Sequence, residues 1–303
     1  MKENNNNLPN NENNILNPDF ITGLTDAEGC FLILSPKNYK TKFKVYFSLK
    51  YKISMLNNEI ELLKMVKSFF DCGVLRQNKN GTTDFEINDF SSIKTVLIPH
   101  FLKYPLRGTK YLDFISFKEA SHIFDKGEHL KEEGINKLSL LKKGMNTQRD
   151  FSQFNSYSPN HTKVSNINYI PINGHYINGF IAGDGCLTLD MGKHFGYMHL
   201  SISQHKNNRL LMESIVNYFK SPLKVYPGRS EDIQIHLRGI FLWENIIFKH
   251  FEKYPLYGSK KLILDKLLLI RELKKDNKHL VQVGKYREWR PEYKLSIIKI
   301  WNN

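Results

Sequence analysis

The chain has 303 residues, 41% of them hydrophobic, enough for one large core or two medium ones. Its 44 Lys+Arg against 30 Asp+Glu leave a net charge of +14, which points to a polyanionic partner, nucleic acid first, if that charge is organised on one surface. No apolar run approaches the ~20 residues of a membrane helix, and Cys30, Cys72 and Cys186 show no CxxC spacing, so neither a membrane span, a zinc site nor a disulfide framework is indicated.

Residues 1–16 are Asn-rich and read as a disordered tail, without the basic and apolar regions of a secretory signal or the Arg-rich pattern of a transit peptide. A protein of this kind that works in an organelle is expected to be made there. Asn17 and Pro18 read as N-cap and first residue of a helix that stops at the Gly after Glu28. Lys40, Lys42, Lys44, Tyr46, Ser48 and Lys50 then alternate with Phe43, Val45, Phe47 and Leu49, the period of a strand with one buried face. A helix around Ile60 to Phe70 follows, then a hairpin whose Asn80-Gly81 turn separates Val74–Arg76 from Phe85–Asn88, then a helix led by Ser91-Ser92 to His100. Leu130 to Met145 reads as a helix, and 146–168 as a polar linker.

From here the chain repeats itself. Phe20-Ile-Thr-Gly-Leu-Thr-Asp-Ala-Glu-Gly-Cys-Phe31 returns as Tyr176-Ile-Asn-Gly-Phe-Ile-Ala-Gly-Asp-Gly-Cys-Leu187, and His100-Phe-Leu-Lys-Tyr-Pro-Leu-Arg-Gly-Thr-Lys110 returns as His250-Phe-Glu-Lys-Tyr-Pro-Leu-Tyr-Gly-Ser-Lys260. Asn173 can cap the second opening helix. Strands are expected near Leu187–Asp190, Met198–Gln204, Leu223–Tyr226 and Ile233–Arg238, with helices at Arg209–Phe219 and near Phe241–Phe251. The expected fold class is α+β: two α-β-β-α-β-β-α units, residues 17–128 and 169–303, joined through 129–168 and related by a pseudo-twofold axis.

The opening helices make sense as a joint. Gly23 and Ala27, and Gly179 and Gly183, lie four apart on one helical face, where small side chains let two axes approach closely. Glu28 and Asp184 then end side by side, and two carboxylates at one point favour a hard divalent cation such as Mg²⁺. Such a pair suits phosphodiester hydrolysis. Histidines 194, 199, 205 and 236 form no metal-ligand spacing.

The repeated motifs, Ile-Thr-Gly-Leu-Thr-Asp-Ala-Glu-Gly and Ile-Asn-Gly-Phe-Ile-Ala-Gly-Asp-Gly, resemble the sequence that names the LAGLIDADG homing endonucleases, and two copies resemble the single-chain members. Glu128 to Asn146 resembles the connecting helix of a fungal mitochondrial, intron-encoded branch. The resemblance implies a monomer, made in the mitochondrion, that makes Mg²⁺-dependent staggered cuts in double-stranded DNA across the minor groove, with Mn²⁺ as an alternative and Ca²⁺ as a non-cutting substitute. It implies metal binding at Glu28 and Asp184, with the preceding Ala27 and Gly183 in the metal site. Lys110 and Lys260 resemble the family's basic residues near the cleavage centre, and Gln204 its polar, water-orienting residue. The first-half counterpart of Gln204 reads as Tyr51 or Lys50. Asp26, whose partner position is Ala182, reads as structural.

Two four-stranded antiparallel sheets would then form a saddle on the major groove. The alternation offers Lys40, Lys42, Lys44, Tyr46, Ser48, Lys50, Arg76, Asn78, Asp84, Glu86 and Asn88 as DNA-binding residues in the first half. In the second they are Thr188, Asp190, Lys193, Tyr197, His199, Ser201, Ser203, Lys224, Tyr226, Arg229, Gln234, His236 and Arg238. Mixed polar and charged side chains suit base-edge reading, and unlike halves imply a long asymmetric site. Two other functions fit the same scaffold: a maturase that binds host intron RNA, and a DNA-binding regulator that does not cut.

Overall fold

The computed structural model describes residues 15–37, 45–149, 171–192, 195–220, 224–275, 279–283 and 286–302. Residues 1–14 of the Asn-rich stretch, residues 150–168 of the linker, and Lys40, Lys42, Lys44, Lys193 and His194 lie outside them.

α1 (Pro18–Glu28) begins where the Asn17 side chain accepts the Asp19 N–H at 2.9 Å. It ends at the acid because Gly29 is already extended and opens β1 (Gly29–Leu34). β2 (Ser48–Leu56), α2 (Ile60–Phe70), β3 (Val74–Gln77) and β4 (Thr82–Ile87) follow. Gly81 closes the expected hairpin turn at φ +82°. α3 (Phe90–Ser92) passes through a π-helical turn into α4 (Ile98–Lys103). The Tyr-Pro-Leu-Arg-Gly segment breaks the helix, and α5 (Lys110–Asp125), which the seven-element reading of each unit did not count, restarts it at the lysine.

α6 (Glu132–Lys143) is the connecting helix. The second unit repeats the order with α7 (Gly174–Asp184), β5 (Gly185–Asp190), β6 (Tyr197–His205), α8 (Arg209–Tyr218), β7 (Tyr226–Pro227), β8 (Asp232–Arg238), α9 (Ile240–Leu242), α10 (Phe248–Lys253) and α11 (Ser259–Lys274). A hairpin of β9 (Leu280–Val283) and β10 (Tyr286–Trp289), then α12 (Pro291–Asn302), complete the chain and were not foreseen.

The sheets have matching orders, β1-β2-β4-β3 and β5-β6-β8-β7, with antiparallel neighbours. One face of each is buried under helices: Phe31, Tyr51, Ile53 and Phe85 in the first, Leu187, Leu200, Ile202 and Ile235 in the second. The alternation that began in the lysine run keeps its phase, but the strand lies later, so Lys52 and Ser54 join Ser48 and Lys50 on the open face. Two boundaries move. Leu16, assigned to the tail, is 1% exposed in the core. Asn146, assigned to the linker, is pinned: its Nδ2 donates to the Phe31 carbonyl at 3.0 Å and its N–H to Asp113 at 3.0 Å, which also accepts from Arg149.

The units meet through α1 and α7. A Cβ at Gly23 would fall onto the Tyr176 carbonyl, and one at Gly179 onto the Phe20 carbonyl and within 2.8 Å of the Leu24 nitrogen. The two backbones are therefore in direct contact, and neither glycine can carry a side chain unless the axes separate. Gly179→Ala is expected to cost about 1–3 kcal/mol or more, read as a lower Tm. Gly144→Ala, where a Cβ meets the Leu141 and Leu140 carbonyls only at 3.6 and 3.8 Å, is the control that leaves Tm near the parent value; equal Tm values for the two variants would mean that the joint has room.

Candidate active site at the helix joint

Glu28 and Asp184 are the last residues of α1 and α7, the negative ends of two helix dipoles. A Cβ at Gly183 would meet the Ala27 Cβ and lie 3.5 Å from Glu28 Oε1, so the Glu28 carboxylate sits beside the residue that precedes Asp184. Burial, then the charge of Asp184, pushes the Glu28 carboxyl above its ordinary range, and burial does the same to Asp184. Among the described residues, no group donates a hydrogen bond to the Glu28 carboxylate.

The two motif lysines answer this negative charge from behind. Lys110 Nζ donates to the carbonyls of Thr25 at 3.2 Å, Asp26 at 3.0 Å and Ala27 at 2.5 Å. Lys260 Nζ donates to those of Ile181 at 2.9 Å, Ala182 at 2.7 Å and Gly183. Each ammonium thus engages all three hydrogens at a helix C-terminus. In this structure both lysines bond the carbonyls at the two helix ends, beside the acids. The Ala27 and Gly183 carbonyls, expected in the metal site, accept from them.

The second repeated motif delivers the lysines. Thr22 Oγ1 donates to the Tyr104 carbonyl at 3.0 Å and lies 3.4 Å from His100 Nε2. At the same place in the other unit, Asn178 Nδ2 donates to the Tyr254 carbonyl at 2.8 Å, and its Oδ1 lies 2.6 Å from His250 Nε2. Asp26 accepts from the N–H groups of Arg107 at 2.7 Å and Gly108 at 3.2 Å and, across the joint, from the Tyr176 hydroxyl at 2.7 Å. Burial raises its carboxyl despite these bonds. Asp26 therefore holds the loop that precedes Lys110. Ala182 cannot do the same, and the other loop is met by an edge-on contact of Phe20 with Tyr257, centroids 5.0 Å apart.

Gln204 Nε2 donates to Asp184 Oδ2 at 2.5 Å. The register shows its true counterpart. Gly29 pairs with Ile53 and Gly185 with Ile202, so Gln204 corresponds to Met55. Tyr51 is instead buried, its hydroxyl 2.7 Å from Thr25 Oγ1, and Lys50 pairs with Glu86.

Sequence comparison places this geometry. The family described as LAGLIDADG endonuclease matches residues 21–121 and 177–270, one match in each unit. The chain belongs to the LAGLIDADG endonuclease family. Probable intron-encoded endonuclease 2 of Neurospora crassa is 27% identical over 286 residues, covering 89% of this chain. The chain spans 63% of the length of that relative and 48% of Probable intron-encoded endonuclease 3 of the same fungus. The solved structure of the I-LtrWI LAGLIDADG homing endonuclease bound to target DNA is similar at a TM-score of 0.78, with 26% identity over 94% of this chain and 96% of its own. I-SmaMI bound to uncleaved DNA target with calcium ions matches at 0.78, with 24% identity over 95% and 98%.

In this LAGLIDADG chain the open sheet faces gather most of the predicted DNA-binding residues. Ser48, Lys50, Arg76, Asp84 and Glu86 share the first face; Thr188, Asp190, Tyr197, His199, Ser201, Ser203, Tyr226, Gln234, His236 and Arg238 share the second. Tyr46, Asn78, Asn88, Lys224 and Arg229 flank them in loops. Asp84 and Glu86 are not open to a base edge: Glu86 is buried beside Lys50 at 2.9 Å and Arg76 at 3.6 Å, and Asp84 beside Lys52 at 3.2 Å. Burial would raise Asp84, but bonds from Ser54, Asn78 and Lys52 outweigh it and hold the carboxyl low. The sequence reading missed Lys52, Ser54, Thr22 and Asn178; the first two continue the strand alternation, and the last two hold equal places in both motifs.

The motif histidines carry a pH prediction. Burial lowers His100 and His250 to about 4. The unfolded chain, with His near ~6.5, then binds more protons between these values, so these residues stabilise the fold above ~6.5 and that contribution is lost as pH falls toward 4. In His250→Gln, whose amide can still donate to Asn178, the fall in Tm over this window is expected to be shallower than in the parent; identical slopes would show that His250 is not held neutral.

Proposed function

We propose that the chain is a site-specific double-strand DNA endonuclease that acts as a monomer. The observation that carries this is the meeting of Glu28 and Asp184, one from each unit, at a glycine joint where burial opposes the ionisation of both and the charge of Asp184 adds to this at Glu28. Two hard oxygen donors with raised pKa, and lysines turned to the backbone rather than to the acids, fit a divalent cation such as Mg²⁺ or Mn²⁺. When bound, such a cation supplies a more acidic water and charge for the departing oxygen.

The chain's own residues do the rest. Glu28 and Asp184 would hold the cation, and Gln204 fixes one oxygen of Asp184 so that the other is free to face it. Lys110 and Lys260 offset the two helix dipoles that would otherwise work against two negative side chains. Lys50, Lys52 and Arg76, steadied by Asp84 and Glu86, present cations to phosphates and base edges. His199, Gln234 and His236 offer amide and imidazole groups on the other sheet, so the two halves of the target would differ. A metal-free regulator, or a maturase working only through its basic surfaces, would have no use for the paired acids. We place the activity in the mitochondrion, in keeping with the intron-encoded relatives.

The test uses the full chain, Mg²⁺ and a library of randomised duplexes, beside Glu28→Gln. Double-strand cuts by the parent, lost in the variant while gel-shift binding survives, are expected; no cut by the parent overturns the reading. Binding of the recovered duplex should also weaken by roughly 10³ or more between 50 and 200 mM salt, as neutralising about six phosphates requires. A salt-independent affinity would contradict recognition through the basic faces.

A further inference from the structure

Asn208 is the last residue of the short 3-10 turn after β6, and Glu59 holds the same place after β2. Both reach across the joint. Asn208 Oδ1 accepts the Thr109 N–H at 2.8 Å, at the start of the helix that carries Lys110. Glu59 accepts the Ser259 N–H at 3.0 Å and the Ser259 hydroxyl, at the start of the helix that carries Lys260. Each unit therefore caps the other unit's lysine helix.

Asn208 does one thing more. A backbone N–H can only donate, so Thr109 fixes which end of the Asn208 amide is oxygen. Its Nδ2 must then point away, and it donates to Gln204 Oε1 at 2.8 Å. That in turn leaves Gln204 Nε2 as the group facing Asp184. Two amide orientations that would otherwise be free to flip are set in one direction by a single backbone hydrogen. The first unit has no such chain. Glu59 has no hydrogen to pass on, and Met55, where Gln204 stands in the other unit, has no polar group to receive one.

We infer that Asn208 is a positioning residue for both half-sites, orienting Gln204 toward Asp184 with its nitrogen and placing Lys110 with its oxygen, and that it makes the two strand cuts unequal. The inference rests on the endonuclease reading for its kinetic consequence but not for its structural one.

The two jobs separate by substitution. Asn208→Asp keeps an acceptor for Thr109 but presents only acceptors to Gln204, whose amide must then turn its oxygen to Asp184. Asn208→Ala loses both contacts. Gln204→Met copies the first unit. With the duplex recovered from the library, labelled differently on each strand, Asn208→Asp and Gln204→Met are expected to slow the same strand by about tenfold relative to the other, and to raise the Mg²⁺ concentration needed for that cut. Asn208→Ala is expected to slow both strands. A parent-like strand ratio in Asn208→Asp, or equal slowing of both strands by all three variants, would overturn the inference and leave the endonuclease reading intact. Hydrogen exchange of the peptide spanning 105–112 gives a readout that needs no cutting. It should quicken in Asn208→Ala and stay near the parent in Asn208→Asp, and no change in Asn208→Ala would refute the structural half even if the parent cut neither strand.

Discussion

Everything in this molecule is arranged around two helices that touch backbone to backbone. With Gly23 against Tyr176 and Gly179 against Phe20, no side chain lies between the axes at the closest point. The acids that follow are covalently tied to that contact and cannot drift apart. Burial raises the pKa of both, and at Glu28 the charge of Asp184, which movement cannot relieve, adds to it. Both also stand at the wrong end of a helix for an anion.

The compensation comes from two lysines, and holding them in place accounts for much of the remaining polar structure. A buried ammonium is costly unless its hydrogens are satisfied, and each lysine meets three carbonyls. To arrive there each must leave its loop at one place only. Thr22, Asn178 and the histidines set the loops within a unit, whereas Tyr176, Asn208 and Glu59 set them from the opposite one. Separating the units would strip both lysines of their caps. The duplicated chain thus builds one site rather than two copies of a site.

How much of this the amino acids disclose depends on the range of the interaction. The joint, the acids, the hairpin turn and the inward and outward faces of the strands are short-range or repeated patterns, and were legible. The counterpart of Gln204 was not, because the segments that join β1 to β2 and β5 to β6 differ in length, so counting from the motif misaligns the strands that hydrogen bonding aligns on Ile53 and Ile202. Alternation likewise shows that Asp84 and Glu86 face outward with Lys50 and Lys52, but not that the lysines cover them. Asp26 looked structural because its partner position is Ala182. Its hydroxyl partner, Tyr176, is 150 residues away and stands where the first motif has Phe20.

That last pairing shows what joining two units in one chain permits. In a symmetric dimer of identical subunits any contact across the axis occurs twice, so an acid at the position of Asp26 would meet a tyrosine at the position of Tyr176 on both sides or on neither. Here Tyr176 and Asp26 form one polar contact, while Phe20, opposite Ala182 in the motif, packs its ring against Tyr257. The same division recurs further out, with Gln204 and Asn208 on one side and Met55 and Glu59 on the other. These changes are not scattered. Gln204 and Asn208 link Asp184 to the start of the helix that carries Lys110, and Asp26 holds the loop before it, whereas at the matching places Met55 has no polar group and Glu59 only accepts. Divergence within a linked pair has therefore produced two environments for two otherwise similar carboxylates, one held by a directed chain of hydrogen bonds and one left open to whatever it binds.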